Sequence, residues 1–438
     1  MKPRTLLVIA WLGVILYAYP GYMSADSVLQ LVQARTGVFG LGHPPLMGVV
    51  WALCDAIVTG PFGMLVLQVS CFVAGAYLLL RHSMSERAAA AVTLALCWFP
   101  PVLADLAVIW KDTQMTAYLV LGIALLTSPR RGVRLGGLAL LSLATAMRYN
   151  ALAITFAPVV LLFVWNPVHR WFVRYPLAVV AWIVITVTPA VVNDALVSER
   201  AYLWHDSIAL FDLTGTLRYA PDLPDTAVRD ALAGTPLHAT SDLQAAARTT
   251  PPGPYAASYG TGTYVPALWA TTFQLFDPPT TMQQRDAIAA AWRRFVPAHL
   301  SAYLTYRWHV FREVIHLGDH HIPSAVYASF TDSLDRAGSA ARIGHNAVSS
   351  HLQRWLHRAM AWIASSWLFR PWLYLALSLI LLPLGRDRIV FALALSGIAN
   401  EAALFVLAPT VDYRYSIWLV VATLIVTASL VAGRSARR

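Results

Sequence analysis

Long apolar stretches separated by short polar turns run through most of this chain. A helix needs about 20 mostly apolar residues to cross a bilayer. No strand-like alternation of apolar and polar positions is present, so the stretches predict membrane helices. The first one follows a charged start without a small-residue cleavage motif, which indicates a retained helix rather than a removed signal peptide. The predicted spans, ten in number, are 4–20, 62–80, 88–104, 112–127, 132–147, 150–165, 175–193, 367–384, 388–407 and 415–433.

The distribution of basic residues orients these helices, because positive side chains concentrate in cytoplasmic loops. A further apolar stretch, 44–59, is not counted as a span, since counting it would move every later arginine-rich loop outside. We predict a juxtamembrane or re-entrant helix there, and its Asp55 fits an interfacial position. The side assigned to the cytoplasm carries Lys2, Arg4, Arg81, Arg87, Arg130, Arg131, Arg134, Arg170, Arg174, Arg386, Arg388, Arg434, Arg437 and Arg438, whereas the short loops opposite carry Arg35, Lys111, Arg148 and Arg414.

Composition agrees with a polytopic membrane protein. Hydrophobic residues make up 58% of the chain and charged residues 12%, whereas soluble domains carry about a quarter charged residues. This excludes a soluble enzyme and a disulfide-stapled secreted module, and topology explains the net charge of +10 better than a nucleic-acid partner does. The fold predicted is all-α, with a transmembrane module at 1–193, an extracytoplasmic loop-rich and helical region at 194–366, and C-terminal membrane helices at 367–438.

Within the predicted extracytoplasmic region, two segments carry a pattern that bears on function. Residues from Gln283 to His316 are predicted to form an amphipathic helix resting on the outer leaflet, with a substrate groove as the alternative. His316, Asp319, His320 and His321 could bind zinc or another divalent ion, but short histidine-rich runs are more often solvated loop.

The candidate functional residues are ionisable groups at helix ends on the non-cytoplasmic side. Charge near a membrane is costly, so it needs a partner or a purpose. The residues lie in four separate loops, and the topology places all four on one face. They are Asp26 and His43 in the first loop, Asp105, Lys111 and Asp112 in the second, Arg148 and Asn150 in the third, and Asp412, Arg414 and Tyr415 in the last.

Two carboxylates, several cations and an apolar surface suit transfer of a sugar from a polyprenyl phosphate. The leaving phosphate gains negative charge, which Arg or Lys donors stabilise. The acceptor hydroxyl is a poor nucleophile, so a positioned carboxylate should take its proton. Direct displacement with one carboxylate base inverts the anomeric centre. No nucleotide-binding fingerprint appears in the sequence.

Four short motifs in this order resemble the GT-C class of membrane glycosyltransferases, which includes dolichyl-phosphate-mannose protein mannosyltransferases and bacterial lipid A aminoarabinose transferases. The acidic residue after the first helix of that class matches Asp26, and the basic residue before PPL matches His43. The acidic residue of the second outer loop matches Asp112 best, with Asp105 as a rival. An RY pair, implied to bind the donor phosphate, matches Arg414 and Tyr415.

The chain departs from that class at two points. Ser27 follows Asp26 where relatives often have an acidic pair, and His43 stands where relatives have lysine, so its charge depends on pH. The resemblance implies a GT-C-like bundle. We assign Asp26 as the general base and Asp112 as a second carboxylate, and we expect His43, Lys111, Arg148, Asn150, Asp412, Arg414 and Tyr415 to contact the substrates.

Structural explanations compete with these roles. Asp26 and Asp112 could each cap the helix that follows, and Lys111 could extend its ammonium to the interface. Arg148 has no acidic neighbour within several residues, which leaves an anion as a partner, and Asp412 could pair with Arg414. Glu401 would be paired within the bundle or close to the acceptor path.

The sequence thus predicts an inverting glycosyltransferase of a bacterial-type inner membrane, with its site on the extracytoplasmic side. The donor is a polyprenyl-phosphate sugar, the acceptor a lipid, a cell-envelope glycan or a protein, and membrane lipids surround the chain. No cofactor is certain, and a divalent metal, Mg or Mn, is left open. A transporter or flippase for an anionic lipid-linked sugar is the alternative, although its charges should lie at the membrane midplane. A membrane acyltransferase or phosphotransferase is a second alternative, for which His43 and Asp26 are the candidate pair.

Overall fold

The structure is a computed structural model, and it is almost entirely helical. The residues it describes are 1–40, 43–148, 150–199, 204–237, 242–249, 275–277, 279–318, 326, 350–408 and 411–435. The first helices are α1 Pro3–Ala18, α2 Ala25–Thr36, α3 Pro45–Ile57, α4 Phe62–Leu80, α5 Glu86–Trp98, α6 Pro100–Leu106, α7 Lys111–Leu126, α8 Arg131–Met147, α9 Ala151–Leu162 and α10 Trp171–Leu196. They are followed by α11 Ala209–Tyr219, α12 Asp225–Ala231, α13 Leu243–Thr249, α14 Met282–Ala298, α15 Leu300–Val314, α16 His351–Ile363, α17 Pro371–Leu381, α18 Arg388–Leu407 and α19 Ile417–Ser435.

Two short strands, β1 Phe39–Gly40 and β2 Val197–Glu199, pair in parallel. The described chain divides into two compact units. The first comprises Met1–Glu199, Ser324–Glu401 and Arg414–Arg438, and the second comprises Arg200–Pro323 and Ala402–Tyr413. The helix α16 therefore belongs to the first unit, whereas the sequence grouped it with the region at 194–366.

Several of the described helices could cross a membrane. Four candidates among the described helices are long and apolar enough, namely α4, α10, α18 and the stretch Tyr413–Gly433 that contains most of α19. The pair α5–α6 makes a fifth if it counts as one span, and α1, α3, α9 and α17 are apolar but shorter. A helical membrane protein is thus supported. Each predicted span lies in a helical segment, one of them broken, but the count of ten spans is not confirmed.

One predicted span is broken. The segment 88–104 is two helices that meet at an angle of 71° instead of one. The break lies at Phe99, whose backbone is extended, immediately before Pro100 and Pro101. Proline disfavours the helical conformation in the residue before it and cannot continue the preceding helix. The excluded stretch 44–59 is the short helix α3, whose Asp55 forms an ion pair of 2.9 Å with Arg35 of α2.

The core of the first unit is centred on α7, which packs against α4 and α8. Met115, Leu119 and Ile123 of α7 are fully buried. Close approach depends on small residues, because a side chain at Gly122 would meet α8 and one at Gly137 would meet the backbone of α7. A buried glutamine of α4, Gln68, donates hydrogen bonds to the carbonyls of Leu106 (2.8 Å) and Val108 (3.2 Å). This fixes the loop that leads into α7.

The second unit has its own core, built from α11, α12, α13, α14 and α15. Its central contact is a buried ion pair between Asp212 and Arg307 at 2.6 Å, and Trp292 donates a hydrogen bond of 2.9 Å to the same carboxylate. Burial raises the pKa of Asp212 to about 6, although Arg307 opposes that shift. These contacts fit a structural role for Asp212 in the second unit.

The predicted amphipathic helix from Gln283 to His316 is wrong as a single interfacial element. It is divided into α14 and α15 at His299, shortly after Pro297. Ile288 and Phe295, two apolar residues of this segment, are buried in the core of the second unit and do not face a leaflet. On α15 the apolar side chains Leu300, Leu304 and Trp308 do remain exposed.

Candidate functional site

Backbone and side-chain hydrogen bonds join the first and second loops of the first unit. Tyr22 N–H donates to the carbonyl of Ala107 (3.0 Å) and the carbonyl of Tyr22 accepts from Ile109 N–H (2.8 Å). The hydroxyl of Ser27 donates to the carbonyl of Ile109 (2.7 Å). The start of α2 is therefore held against the residues just before α7, which places Asp26 near Lys111 and Asp112.

Ser24, not Asp26, caps α2. Its hydroxyl accepts a hydrogen bond from Ser27 N–H, and the hydroxyl of Ser27 accepts one from Ser24 N–H, which completes a capping box. Asp26, the second residue of α2, is therefore free of that task. Its Oδ2 lies 2.8 Å from Nη2 of Arg414, and its side chain remains 35% exposed.

Asp112 lies between two arginines. Its Oδ1 is 3.3 Å from Nε of Arg148 and its Oδ2 is 3.7 Å from Nε of Arg414. It does not cap α7, which begins without a side-chain cap, so that alternative is wrong. The rival carboxylate, Asp105, accepts a hydrogen bond from the hydroxyl of Thr113 (2.9 Å). Asp112 forms ion pairs with both arginines.

Arg148, the residue that follows α8, pairs with Asp112, although the sequence around Arg148 contains no acidic residue. A buried side chain of α10, Asn193, accepts a hydrogen bond from Leu46 N–H (2.9 Å) and donates one to the carbonyl of Ala146 (3.1 Å). It thus ties the start of α3, close to His43, to the end of α8. Arg148 Nε also lies 3.3 Å from Oδ1 of Asn150.

Two aromatic rings lie against the guanidinium groups. Arg148 is 4.4 Å from the centre of the Tyr415 ring, and Arg414 is 4.8 Å from that of Trp110 and 5.7 Å from that of Tyr415. Trp110 is itself held by a hydrogen bond from Nε1 to the hydroxyl of Ser24 (2.8 Å). Such stacking restricts the two guanidinium groups and stabilises their charge.

The charges of this cluster shift the pKa values of three of its members. Burial alone would raise the pKa of Asp26, but the positive charges of Arg414 and Lys111 outweigh it and hold that pKa well below its usual range. Burial, together with Lys111, lowers the pKa of His43 to about 4. Burial, together with Arg148, lowers the pKa of Lys111 to about 8. At neutral pH Asp26 is therefore ionised, the imidazole of His43 is neutral and the ammonium of Lys111 is mostly protonated.

Cations outnumber carboxylates in this cluster. Lys111, Arg148 and Arg414 face Asp26 and Asp112, so one positive charge is in excess. Among the residues that the structure describes, Nδ1 of the buried His43 has no hydrogen-bond partner, and the ammonium of Lys111 has neither a hydrogen bond nor a close ion pair. Excess positive charge is a feature of an anion-binding site.

The structure therefore brings together eight of the nine predicted site residues. They are Asp26, His43, Lys111, Asp112, Arg148, Asn150, Arg414 and Tyr415. Asp412, the ninth, is buried and belongs to the second unit. Trp110, Asn193 and Asn400 were missed. Asn400, whose amide accepts a hydrogen bond from Asn150 (2.9 Å), could have been suspected because a polar residue inside an apolar span usually has a function.

No group of three His, Cys, Asp or Glu side chains suited to a metal ion occurs within the described part of the chain. Of the histidine-rich segment, His316 is buried and its ring stacks on Tyr413. Asp319, His320 and His321 lie outside the described residues. A comparison of this chain with protein-family models, with curated proteins and with solved structures gives no match.

Proposed function

We propose that this chain is a membrane glycosyltransferase that moves a sugar from a polyprenyl phosphate to a hydroxyl acceptor. The observation that carries the proposal is the cluster itself. Asp26, Asp112 and three cations come from four sequence-distant loops and lie together at the ends of apolar helices. A lipid phosphate presents an anion at this depth while its tail remains among the helices.

The residues divide into two tasks in this proposal. Lys111, Arg148 and Arg414 bind the donor phosphate and stabilise the charge that it gains on leaving. Asp26, the more exposed carboxylate, takes the proton of the acceptor hydroxyl. The acceptor oxygen bonds to the anomeric carbon as the bond from that carbon to the phosphate oxygen breaks, so the configuration inverts. Asp112 holds the two arginines in place.

The experiment follows the sugar. Membranes containing the protein are incubated with a polyprenyl phosphate that carries a radiolabelled sugar, and the label is tracked in the donor and in endogenous acceptors. We expect label to leave the donor and to become covalently attached to an acceptor. Asp26→Asn should slow transfer by about 10²- to 10⁴-fold. Asp55→Asn is the matched control, because Asp55 pairs with Arg35 outside the cluster, and it should retain transfer.

A transporter of an anionic lipid-linked sugar is the second candidate. One observation favours it: Glu401 is a carboxyl buried inside α18, which is long and apolar enough to span the membrane. Transporters use such groups near the bilayer midplane. If the labelled donor changed its side of the vesicle without forming a covalent product, this candidate would replace the glycosyltransferase.

A further inference from the structure

A line of hydrogen bonds leads from Arg148 to a carboxyl inside α18. Arg148 Nε donates to Oδ1 of Asn150 (3.3 Å), and Nδ2 of Asn150 donates to Oδ1 of Asn400 (2.9 Å). Nδ2 of Asn400 in turn donates to Oε1 of Glu401 (2.9 Å). The hydroxyl of Ser416 donates to the other oxygen of Glu401 (3.1 Å). Each donor in the line points toward Glu401.

This line is buried and ends without a cation. Asn400 is fully buried, and Glu401 is 1% exposed. The hydrogen bonds to Glu401 come from an amide and a hydroxyl, and no basic side chain within the described residues forms an ion pair with it. A carboxyl group buried in an apolar helix is costly unless it is hydrogen-bonded or paired. Such groups usually have a function. Donors aligned in one direction polarise one another, which strengthens the line.

Asn400 is the junction of this arrangement. Besides Glu401 it donates to the carbonyl of Tyr415 (3.0 Å), and the ring of Tyr415 is the one that lies against Arg148. Asn400 therefore holds two groups that contact Arg148, namely the side-chain amide of Asn150 and the ring of Tyr415. The hydrogen bond and ion pair to Arg148 from the described residues engage Nε, so both Nη nitrogens can face a ligand.

We propose that Asn400 and Glu401 are positioning residues that hold Arg148 in the orientation in which it binds the phosphate of the donor. The proposal rests on the function proposed above. It assigns no contact with substrate to Asn400 or Glu401. Their effect passes through Arg148.

A double-mutant cycle tests this. The affinity for a polyprenyl phosphate without sugar is measured for the full chain in nanodiscs, with Arg148→Gln, Asn400→Ala and the double variant. Loss of one hydrogen bond to a charged group corresponds to about tenfold in affinity, and we expect about that from each single variant. Because Asn400 acts through Arg148, the double variant should bind no more weakly than Arg148→Gln.

Ser396→Ala is the matched control. Ser396 is buried on the same helix, and its hydroxyl donates to the carbonyl of Ile154 (2.7 Å) and accepts from Trp418, away from Arg148. Its replacement should leave the affinity unchanged in both backgrounds. If Asn400→Ala does not fold, as judged by thermal unfolding, Glu401→Gln, which keeps the shape of the side chain, replaces it in the cycle.

The outcomes separate the two proposals. If Arg148→Gln weakens binding and Asn400→Ala weakens it further by its full factor in the double variant, the positioning role is wrong and the phosphate site stands. If Arg148→Gln leaves the affinity unchanged, neither the phosphate site nor the positioning role survives.

A different observation concerns the surface of α16, which presents three faces. Gln353 and Met360 are buried, and Gln353 donates hydrogen bonds to the carbonyls of Tyr17 (3.2 Å) and Tyr19 (2.8 Å) at the end of α1. A second face carries Arg354 and Arg358. The third carries apolar side chains at helical spacing, and those that are most exposed are Leu352 (63%), Trp355 (60%) and Trp362 (82%).

We infer that this third face lies in the headgroup region of a bilayer with anionic lipids. Tryptophan is the side chain most typical of that region, because its ring is apolar and its N–H needs a polar partner. An apolar arc beside a basic face is the pattern of a helix that lies flat in the interface. The attachment of Gln353 to the end of the apolar helix α1 places the helix where a membrane surface is expected.

Nitroxide labels test this placement in nanodiscs that contain phosphatidylglycerol. Cysteines for the label replace Trp355 and Trp362 on one face and Arg354 and Arg358 on the other, with Val184 of α10 as a lipid reference. Labels on the tryptophan face should be reached by oxygen, which partitions into lipid, and labels on the arginine face by a water-soluble nickel chelate. Access of the chelate to the tryptophan positions, or exclusion of both reagents there, would overturn the inference.

Discussion

Replacing Asp26 by asparagine separates its proposed role as general base from its ion pair in the cluster. Asparagine keeps the shape of the side chain and can still accept a hydrogen bond from Nη2 of Arg414, which lies 2.8 Å from Oδ2 of the carboxylate. It cannot take a proton. General base catalysis contributes about 10²- to 10⁴-fold, so we expect the initial rate of sugar transfer to fall by that factor.

The affinity of the same variant for a polyprenyl phosphate should rise, whereas its rate of transfer falls. The side chain of Asp26 is 35% exposed, so solvent screens its ion pair with Arg414 and the pair contributes only about 1 kcal/mol. Asp26→Asn removes the negative charge of this pair and so adds one net positive charge to the cluster. We expect a polyprenyl phosphate to bind up to about fivefold more tightly. The free energy of unfolding should fall by no more than about 1 kcal/mol.

The assay measures transfer from a labelled donor, the affinity for polyprenyl phosphate and thermal unfolding on the same preparation. Asp55→Asn should lose a similar amount of stability, since Asp55 makes a comparable ion pair with Arg35, but it should keep the rate. A normal rate in Asp26→Asn refutes the assignment of the base. A parallel loss of rate and of affinity assigns Asp26 to donor binding instead.

Three further predictions follow from the pKa values and the buried ion pair. Protonation of His43 is disfavoured in the folded state, so stability should fall by up to about 3 kcal/mol as the pH drops from 6.5 to about 4; thermal unfolding against pH should show a smaller loss for His43→Gln. Lys111, with a pKa of about 8, loses its charge above that pH. Titration of polyprenyl-phosphate affinity should therefore show weakening above pH 8 in the natural protein, but not in Lys111→Arg. Arg307→Met leaves Asp212 buried without its cation, which should destabilise the second unit by about 3 kcal/mol in denaturant unfolding.

The helices were predictable because lipid imposes a simple pattern. An apolar run forms a helix in a bilayer, since its backbone hydrogen bonds cannot be made otherwise. The break at Phe99 was also encoded, in the two prolines that follow it, but the apolar run concealed it. The segment from Gln283 to His316 shows the limit of this reasoning. The segment does have an apolar face, but Ile288 and Phe295 on that face pack in the core of the second unit and not against a leaflet. The same helical periodicity is expected in either case, so the sequence does not distinguish them.

The sequence predicted most of the residues that form the cluster, but not which carboxylate pairs with which arginine. Ionisable residues at helix ends on one face are few, so topology alone selects them. Which carboxylate meets which arginine depends on the contact between Tyr22 and Ile109 and on the bridge made by Asn193. Each of these joins residues far apart in the chain, and no local pattern specifies them. The capping box of Ser24 and Ser27, in contrast, is visible in the sequence.

The lowered pKa of Asp26 opposes its proposed role as a base, and the position of Arg414 explains how both can hold. A carboxylate whose pKa lies well below its usual range is a weak base. That weakness has a specific source, because Arg414 supplies both the hydrogen bond and the nearest positive charge. In the proposed complex the donor phosphate competes with Asp26 for the same guanidinium. Binding of the donor then removes the group that weakens the base, so Asp26 gains proton affinity once the donor is bound. The ion pair in the free protein thus keeps the carboxylate charged and in place until both substrates are present.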